Sequence, residues 1–298
     1  MKGLRTRLVK ERLVRFSLFG SALLAASVLI GILGLLLLYG GRAFKEISPL
    51  RFFLGTVWNP DAYGEPKYGI VPLAVGSLFT TAIALTIAAP TGIASALFIS
   101  ERLKGRVRMF VRTLIEILAG FPSVVIGFFG LTVISPLIAK IFKVYSGLNL
   151  LNGGILLGVM ALPTIISISE DALRAVPMSY REAALALGTN NWQASMKVIL
   201  PAAKPGIIAA LMLGFGRAIG ETMAVLMVAG NAPIIPLSPF DPVRTITSTI
   251  AIELGEVPFG TTHFYALFAL GLLLFIVALM TNLIAESMLK RERARFQI

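Results

Sequence analysis

Residues 70–99 read IVPLAVGSLFTTAIALTIAAPTGIASALFI, a run without one charged side chain. Crossing the hydrocarbon core of a bilayer takes roughly 20 apolar residues in a helix, the form that satisfies every backbone polar group internally. This run is long enough to span, and it sets the fold class as an all-α, polytopic membrane protein. Working outward, comparable stretches lie at Phe16–Gly40, Thr113–Ala139, Leu150–Ser169, Gly206–Gly230 and Phe264–Ala285. Six transmembrane helices are expected. The third contains Glu116, and the fifth contains Arg217 and Glu221.

Composition agrees. Of 298 residues, 56% are hydrophobic and 14% charged, with a mean hydropathy of +0.85, whereas soluble domains carry about 25% charged residues. Lys2, Arg5, Arg7, Lys10, Arg12 and Arg15 precede the first apolar run, as in a secretory signal. A signal's apolar region covers only about 7–15 residues, so a retained first helix is expected.

The net charge of +12 is explained by orientation before any acidic partner is invoked, because cytoplasmic loops are enriched in Lys and Arg. With both termini cytoplasmic, 19 cations fall in inner segments and 7 in outer ones. The high isoelectric point then calls for no nucleic acid. The chain has no cysteine and a single histidine, His263, which removes disulfides, thiolate nucleophiles and His-based metal sites. No Gly-Lys dipeptide occurs, so the phosphate-cradling loop of a nucleotide hydrolase is absent. The chain is expected to be neither an enzyme nor a cofactor carrier, and ATP dependence would come from another chain. An intramembrane enzyme has little to build from, and an ion channel has no need of the 170–205 segment described next.

Four regions are expected: a cytoplasmic segment 1–15, a first helix with its external loop at 16–69, a core at 70–285, and a cytoplasmic tail at 286–298. The loop 41–69 has a turn-rich, aromatic composition around Trp58-Asn59-Pro60 and reads as folded. The loop 231–262 carries five prolines around Thr245–Ile252, a stretch too short to span. The inner segment 170–205 has room for two short helices. Ser179–Leu187 is rich in helix formers with Ser179 as the expected N-cap, Gly188–Asn191 breaks it, and Trp192–Leu200 forms the second run, ended by Pro201.

Within that segment, Glu182-Ala183-Ala184, then Gly188, then Val198, Leu200 and Pro201 resemble the coupling motif of bacterial ABC importer permeases, E-A-A-x3-G-x9-I-x-L-P. Only Val198 departs from it, keeping the branched shape. Gly216–Val225 (GRAIGETMAV), Glu116–Val125 (EILAGFPSVV), Ala161–Thr164 (ALPT) and Trp58–Pro60 are similar to the PstC-type permease of the phosphate-specific ABC importer. The resemblance implies a type I ABC importer permease architecture and transport of inorganic phosphate. It also implies a PstA-type sister permease, two PstB-type ATPase subunits and a soluble phosphate-binding protein outside. Other oxyanion importers, or the sister phosphate permease, are the nearest alternatives.

Arg217 and Glu221 are four residues apart, which on a continuous helix places them on one face within reach of each other. Charges inside a span face a cavity or a partner, and the arginine fork suits phosphate. Both are therefore candidate translocation residues, with a helix-gluing ion pair as the competing reading. Glu116 is expected to pair with Arg112 at the membrane interface.

Overall fold

A computed structural model of the chain describes residues 2–62 and 64–296, with side chains for 14–62 and 64–291. The side chains of Lys2, Arg5, Arg7, Lys10, Arg12, Arg293 and Arg295, counted above as inner charges, lie outside the described residues.

Helix α1 (Lys2–Glu46) leads through α2 (Pro49–Leu54) and a hairpin, β1 (Trp58–Asn59) with β2 (Lys67–Tyr68), into α3 (Val71–Arg102). Then follow α4 (Gly105–Ala119), α5 (Ser123–Phe129), a π turn at Gly130–Ile134, α6 (Ser135–Phe142) and α7 (Leu150–Ala175). Helices α8 (Met178–Ala186) and α9 (Asn191–Ala194), a second π turn (Ser195–Ile199) and α10 (Leu200–Ala202) form a protruding hairpin. The chain returns through α11 (Lys204–Ile219), α12 (Met223–Val228), α13 (Ile246–Glu253) and α14 (Thr262–Phe296).

Among the described residues five helical stretches are long and apolar enough to cross a membrane, and six when the bent pair Asn191–Ala202 and Lys204–Ile219 counts as one. The higher count equals the six expected, but the make-up of the spans differs. The third is not continuous over 113–139. It breaks at Gly120-Phe121-Pro122, where Pro122 cannot donate to a helical ladder, so Glu116 lies on the separate, amphipathic α4. The fifth is not continuous over 206–230. It stops at Ile219 and resumes at Met223. The fourth extends past Ser169 to Ala175 and takes in Glu170 and Asp171. In both π turns a proline follows two residues later, Pro136 and Pro201. Widening the turn moves the carbonyl that the proline ring would otherwise strike.

The bundle has a hairpin end, with β1–β2, and a loop end, where residues 176–203 protrude. Helix α7 is its axis: 61% of its most apolar window is buried, against none of the corresponding window of α1. Small residues let its neighbours approach. A Cβ on Gly154 would lie 2.4 Å from Ile83 Cγ2, and one on Gly158 would lie 3.1 Å from the Ala84 carbonyl of α3. Ile165 of α7 is fully buried between Gly92 of α3 and Gly214 of α11, where an added Cβ would stand 2.7 Å from its side chain on either side. This is how spans associate where the surrounding solvent is as apolar as the side chains.

At the hairpin end the 41–69 loop is folded, as expected. Trp58 is buried and its Nε1 donates to Glu253 at 3.1 Å; Arg244 Nη1 donates to the same carboxylate at 2.7 Å, and His263 Nε2 lies 2.8 Å from it. One carboxylate thereby fastens the loop, α13 and the start of α14. The Thr245–Ile252 stretch lies in the short α13 and its cap, with the N-cap Thr245 side chain accepting from Ser248 N.

Gly214→Val is expected to force α11 away from Ile165 and to lower the thermal transition of the purified chain. Ile165→Ala alone should cost about 2–5 kcal/mol. The double variant is expected to be more stable than the two single losses added together, a coupling that thermal unfolding in one detergent measures.

Candidate functional site

The two interrupted spans meet. Arg217, near the end of α11, donates from Nη2 to the Ala119 carbonyl at 3.1 Å and from Nη1 to Thr164 Oγ1 at 3.3 Å. Ala119 is the last residue of α4, and Thr164 follows Pro163 inside α7. The cation thus satisfies a carbonyl that the broken helix leaves without a partner, at the negative end of its dipole. At 1.5 Å rise per residue Arg217 lies about 20 Å from the loop end along α11, and Thr164 about 16 Å along α7, near the middle of a 30 Å core. Beyond the breaks α5 and α12 close on each other, a Cβ on Gly127 standing 3.0 Å from Ala224 Cα.

Glu221 does not share a helical face with Arg217, because α11 has ended before it, and the two side chains form no ion pair. Its Oε1 accepts from the Ala224 backbone N–H at 3.3 Å at the start of α12, and its own carbonyl accepts from Thr247 of α13 at 2.8 Å. The i, i+4 expectation fails for a physical reason: α11 ends at Ile219, and four residues across a break no longer make one turn. Arg217 and Glu221 are both half-buried. The guanidinium carries five donors, and two of its nitrogens hold protein oxygens while its other N–H groups stay free.

At the loop end, Gly188 takes φ +85°, and its N–H donates to the Leu185 carbonyl as α8 turns. The expected N-cap Ser179 is replaced by Pro177, so α8 starts two residues earlier, at Met178. The second run starts at Asn191, capped by Asn190 in a reciprocal box with Gln193, a signal legible as N-x-x-Q. It ends at Ala202 rather than Pro201 and bends by 68° into α11. Glu182, Ala183, Gly188 and Pro201 are exposed, Val198 and Leu200 half-buried, and Ala184 buried. Met178, Tyr180, Leu187 and Trp192 add exposed apolar surface on the same protrusion.

The residue that sequence reasoning missed is Glu101, at the end of α3. Its carboxylate accepts from Arg181 of α8 at 2.5 Å and from Ser195 of the second run at 2.7 Å, pinning both arms of the hairpin to a span. Its signal was a carboxylate directly after a charge-free run. Arg108 of α4 pairs with buried Glu170 through Nε at 2.6 Å, and Arg112 bridges Glu116 at 3.1 Å and Asp171 at 3.0 Å. The pair expected for Glu116 is present, and its hydrogen bond, followed by that of Asp171, raises the Arg112 pKa above its ordinary value.

Residues 88–293 match the family model of the binding-protein-dependent transport system inner membrane component. The chain belongs to this family. The permease is 40% identical over 92% of its length to the probable ABC transporter permease protein YqgH of Bacillus subtilis, covering 87% of that protein. It is 38% identical to the phosphate transport system permease protein PstC 1 of Mycobacterium bovis, with 83% of each chain covered. To the PstC of Mesorhizobium japonicum it is 35% identical over 92% of its length, covering 89% of that protein. The solved bacterial alginate ABC transporter in complex with its pentasaccharide-bound periplasmic protein superposes with TM-score 0.57 at 20% identity, covering 90% of this chain and 94% of that one. The fold is that of an ABC importer permease, and the protein is a multi-pass inner membrane component of such a transporter.

Glu101→Gln keeps the volume and removes the charge that both hairpin arms bind. Each charge-assisted hydrogen bond weakened costs about 1.5–3 kcal/mol, felt locally. Cleavage by trypsin at Arg181 is expected to rise several-fold, with the thermal transition of the span bundle nearly unchanged.

Proposed function

We propose that this permease forms one wall of an ATP-driven importer of inorganic phosphate. A PstA-type sister permease forms the other wall, two PstB-type ATPases drive it, and a soluble phosphate-binding protein delivers the ion from outside. Both termini are cytoplasmic in this reading, following the placement of Lys and Arg. The phosphate transport permeases among the relatives support the substrate.

The observation that carries the reading is Arg217, held near mid-span with donors to spare where two interrupted spans meet. Discontinuous spans expose helix ends and free backbone groups at the depth where an ion loses its water, which is where transporters place their sites. A guanidinium anchored on one side offers its other donors to phosphate oxygens, and being shared with protein oxygens it holds the anion loosely enough to let go. Glu221 belongs to the same path in a lesser role. One carboxylate oxygen caps α12, and the other can accept the acidic hydroxyl that phosphate keeps near neutral pH and sulfate lacks.

The hairpin 178–202 is the coupling element. The motif residues Glu182, Ala183, Ala184, Gly188, Val198, Leu200 and Pro201 form a stiff knob with a φ-positive turn, tied by Glu101 to α3 and continued through the 68° bend into the helix that bears Arg217. A push on the knob is thereby delivered to the path.

Uptake of radiolabelled phosphate by the reconstituted complex tests the reading. Arg217→Gln is expected to lower uptake by at least about a hundredfold, the loss of some 3 kcal/mol of anion stabilisation, with all subunits still co-purifying. Normal uptake by this variant, or loss traced wholly to failed assembly, would make Arg217 a structural brace.

Gly188→Val puts a β-branched residue at φ +85°, which costs about 1–3 kcal/mol locally. ATP hydrolysis is expected to persist or fall while phosphate uptake is lost, so the ATP spent per phosphate rises; unchanged coupling would remove Gly188 from the mechanism.

A further inference from the structure

Beside the hairpin, between the α3–α4 turn and the α7–α8 joint, lies a cavity of about 570 Å³. Lys104, Arg108, Arg174 and Arg181 line it, with Glu101 as the one acidic side chain in its wall. Arg108 and Arg181 are each paired on one edge, to Glu170 and Glu101, while Lys104 and Arg174 form no ion pair. The local charge stays positive after every pair is counted. Two helices also begin at its rim. Helix α4 starts after Lys104 and α8 after Pro177, neither with a side-chain cap nor an acidic residue in the first turn. Neither start has a side-chain acceptor, and in α8 only the Tyr180 N–H is taken up, by the Pro177 carbonyl at 3.1 Å.

Unpaired cations beside uncapped helix starts share one need, an anion rich in acceptor oxygens. We propose that this cavity binds a phosphate-bearing anion at the loop end of the protein, a site separate from the Arg217 path. A phosphate group supplies the charge for Lys104 and Arg174 and oxygens for the free edges of Arg108 and Arg181. Two sources carry that group: free inorganic phosphate and the headgroup of an anionic phospholipid. The free-ion source rests on the phosphate-import reading; the lipid source does not. Since the cavity joins both sides of the α7–α8 joint, its occupant braces the hairpin against the spans.

The test uses the assembled transporter in nanodiscs, with Arg217→Gln throughout so that the path adds no phosphate binding. In phosphatidylcholine discs, equilibrium binding of radiolabelled inorganic phosphate is compared between this background and one carrying Lys104→Gln and Arg174→Gln as well. In discs containing phosphatidylglycerol, native mass spectrometry counts the retained anionic lipid for the same pair. Losing two cations is expected to weaken the bound ligand roughly tenfold or more, and the arm that responds names its source. Lys104→Glu alone, which touches no ion pair of the fold, is to act in the same direction. Absence of binding in both arms, or binding indifferent to these substitutions, overturns the proposal. Failure of the import reading would appear separately, as wild-type complexes without phosphate uptake.

Discussion

The hydrogen bond from Arg217 to the Ala119 carbonyl is the interaction on which the arrangement of the spans depends. In hydrocarbon no water is present to satisfy an interrupted helix, so each break must find its partners within the protein. Two breaks, at residues 120–122 and 220–222, lie side by side, and the end of one helix is closed by a side chain from just before the other. Thr164 steadies the same guanidinium, and Thr247 of α13 takes up the Glu221 carbonyl inside the second break. Charged and irregular parts of the membrane domain are thereby gathered at one depth.

From that point a helical path leads back to the hairpin. Helix α11 runs from Arg217 back to Ala203, turns by 68°, and becomes the second arm of the protruding hairpin. Glu101 holds both arms to α3, and the Arg108–Glu170 and Arg112–Asp171 pairs hold α4 to α7. Ile165, wedged between Gly92 and Gly214, keeps α3, α7 and α11 in contact. Packed cores shift between discrete arrangements and deform little in between, so displacement of the hairpin has a direct route to the Arg217 contacts.

Much of this was legible in the residues. Span number, an all-α class, the folded 41–69 loop, the short segment at Thr245–Ile252, the Arg112–Glu116 pair and the paired helices around Gly188 all follow from hydropathy, helix spacing and turn chemistry. These signals are local: a charge-free run, a four-residue interval or a glycine between two helical stretches carries its meaning within about twenty residues. Errors fell where a local rule had two outcomes. Gly-Phe-Pro within an apolar run reads equally as a kink or as a full break, and Ser179 lost its capping position to a proline two residues earlier.

The sequence by itself determined that the chain is an all-α polytopic membrane protein, how its charge is distributed, and which segment forms a helical hairpin, because burial in lipid and helix periodicity act on consecutive residues. Only the tertiary structure decided that Arg217 reaches Ala119 and Thr164 instead of Glu221, and that Glu101 clasps Arg181 and Ser195 from 80 and 94 positions away. Those pairings depend on how closely glycine-lined helices approach one another, and the separation of two helix axes is a property of neither helix alone.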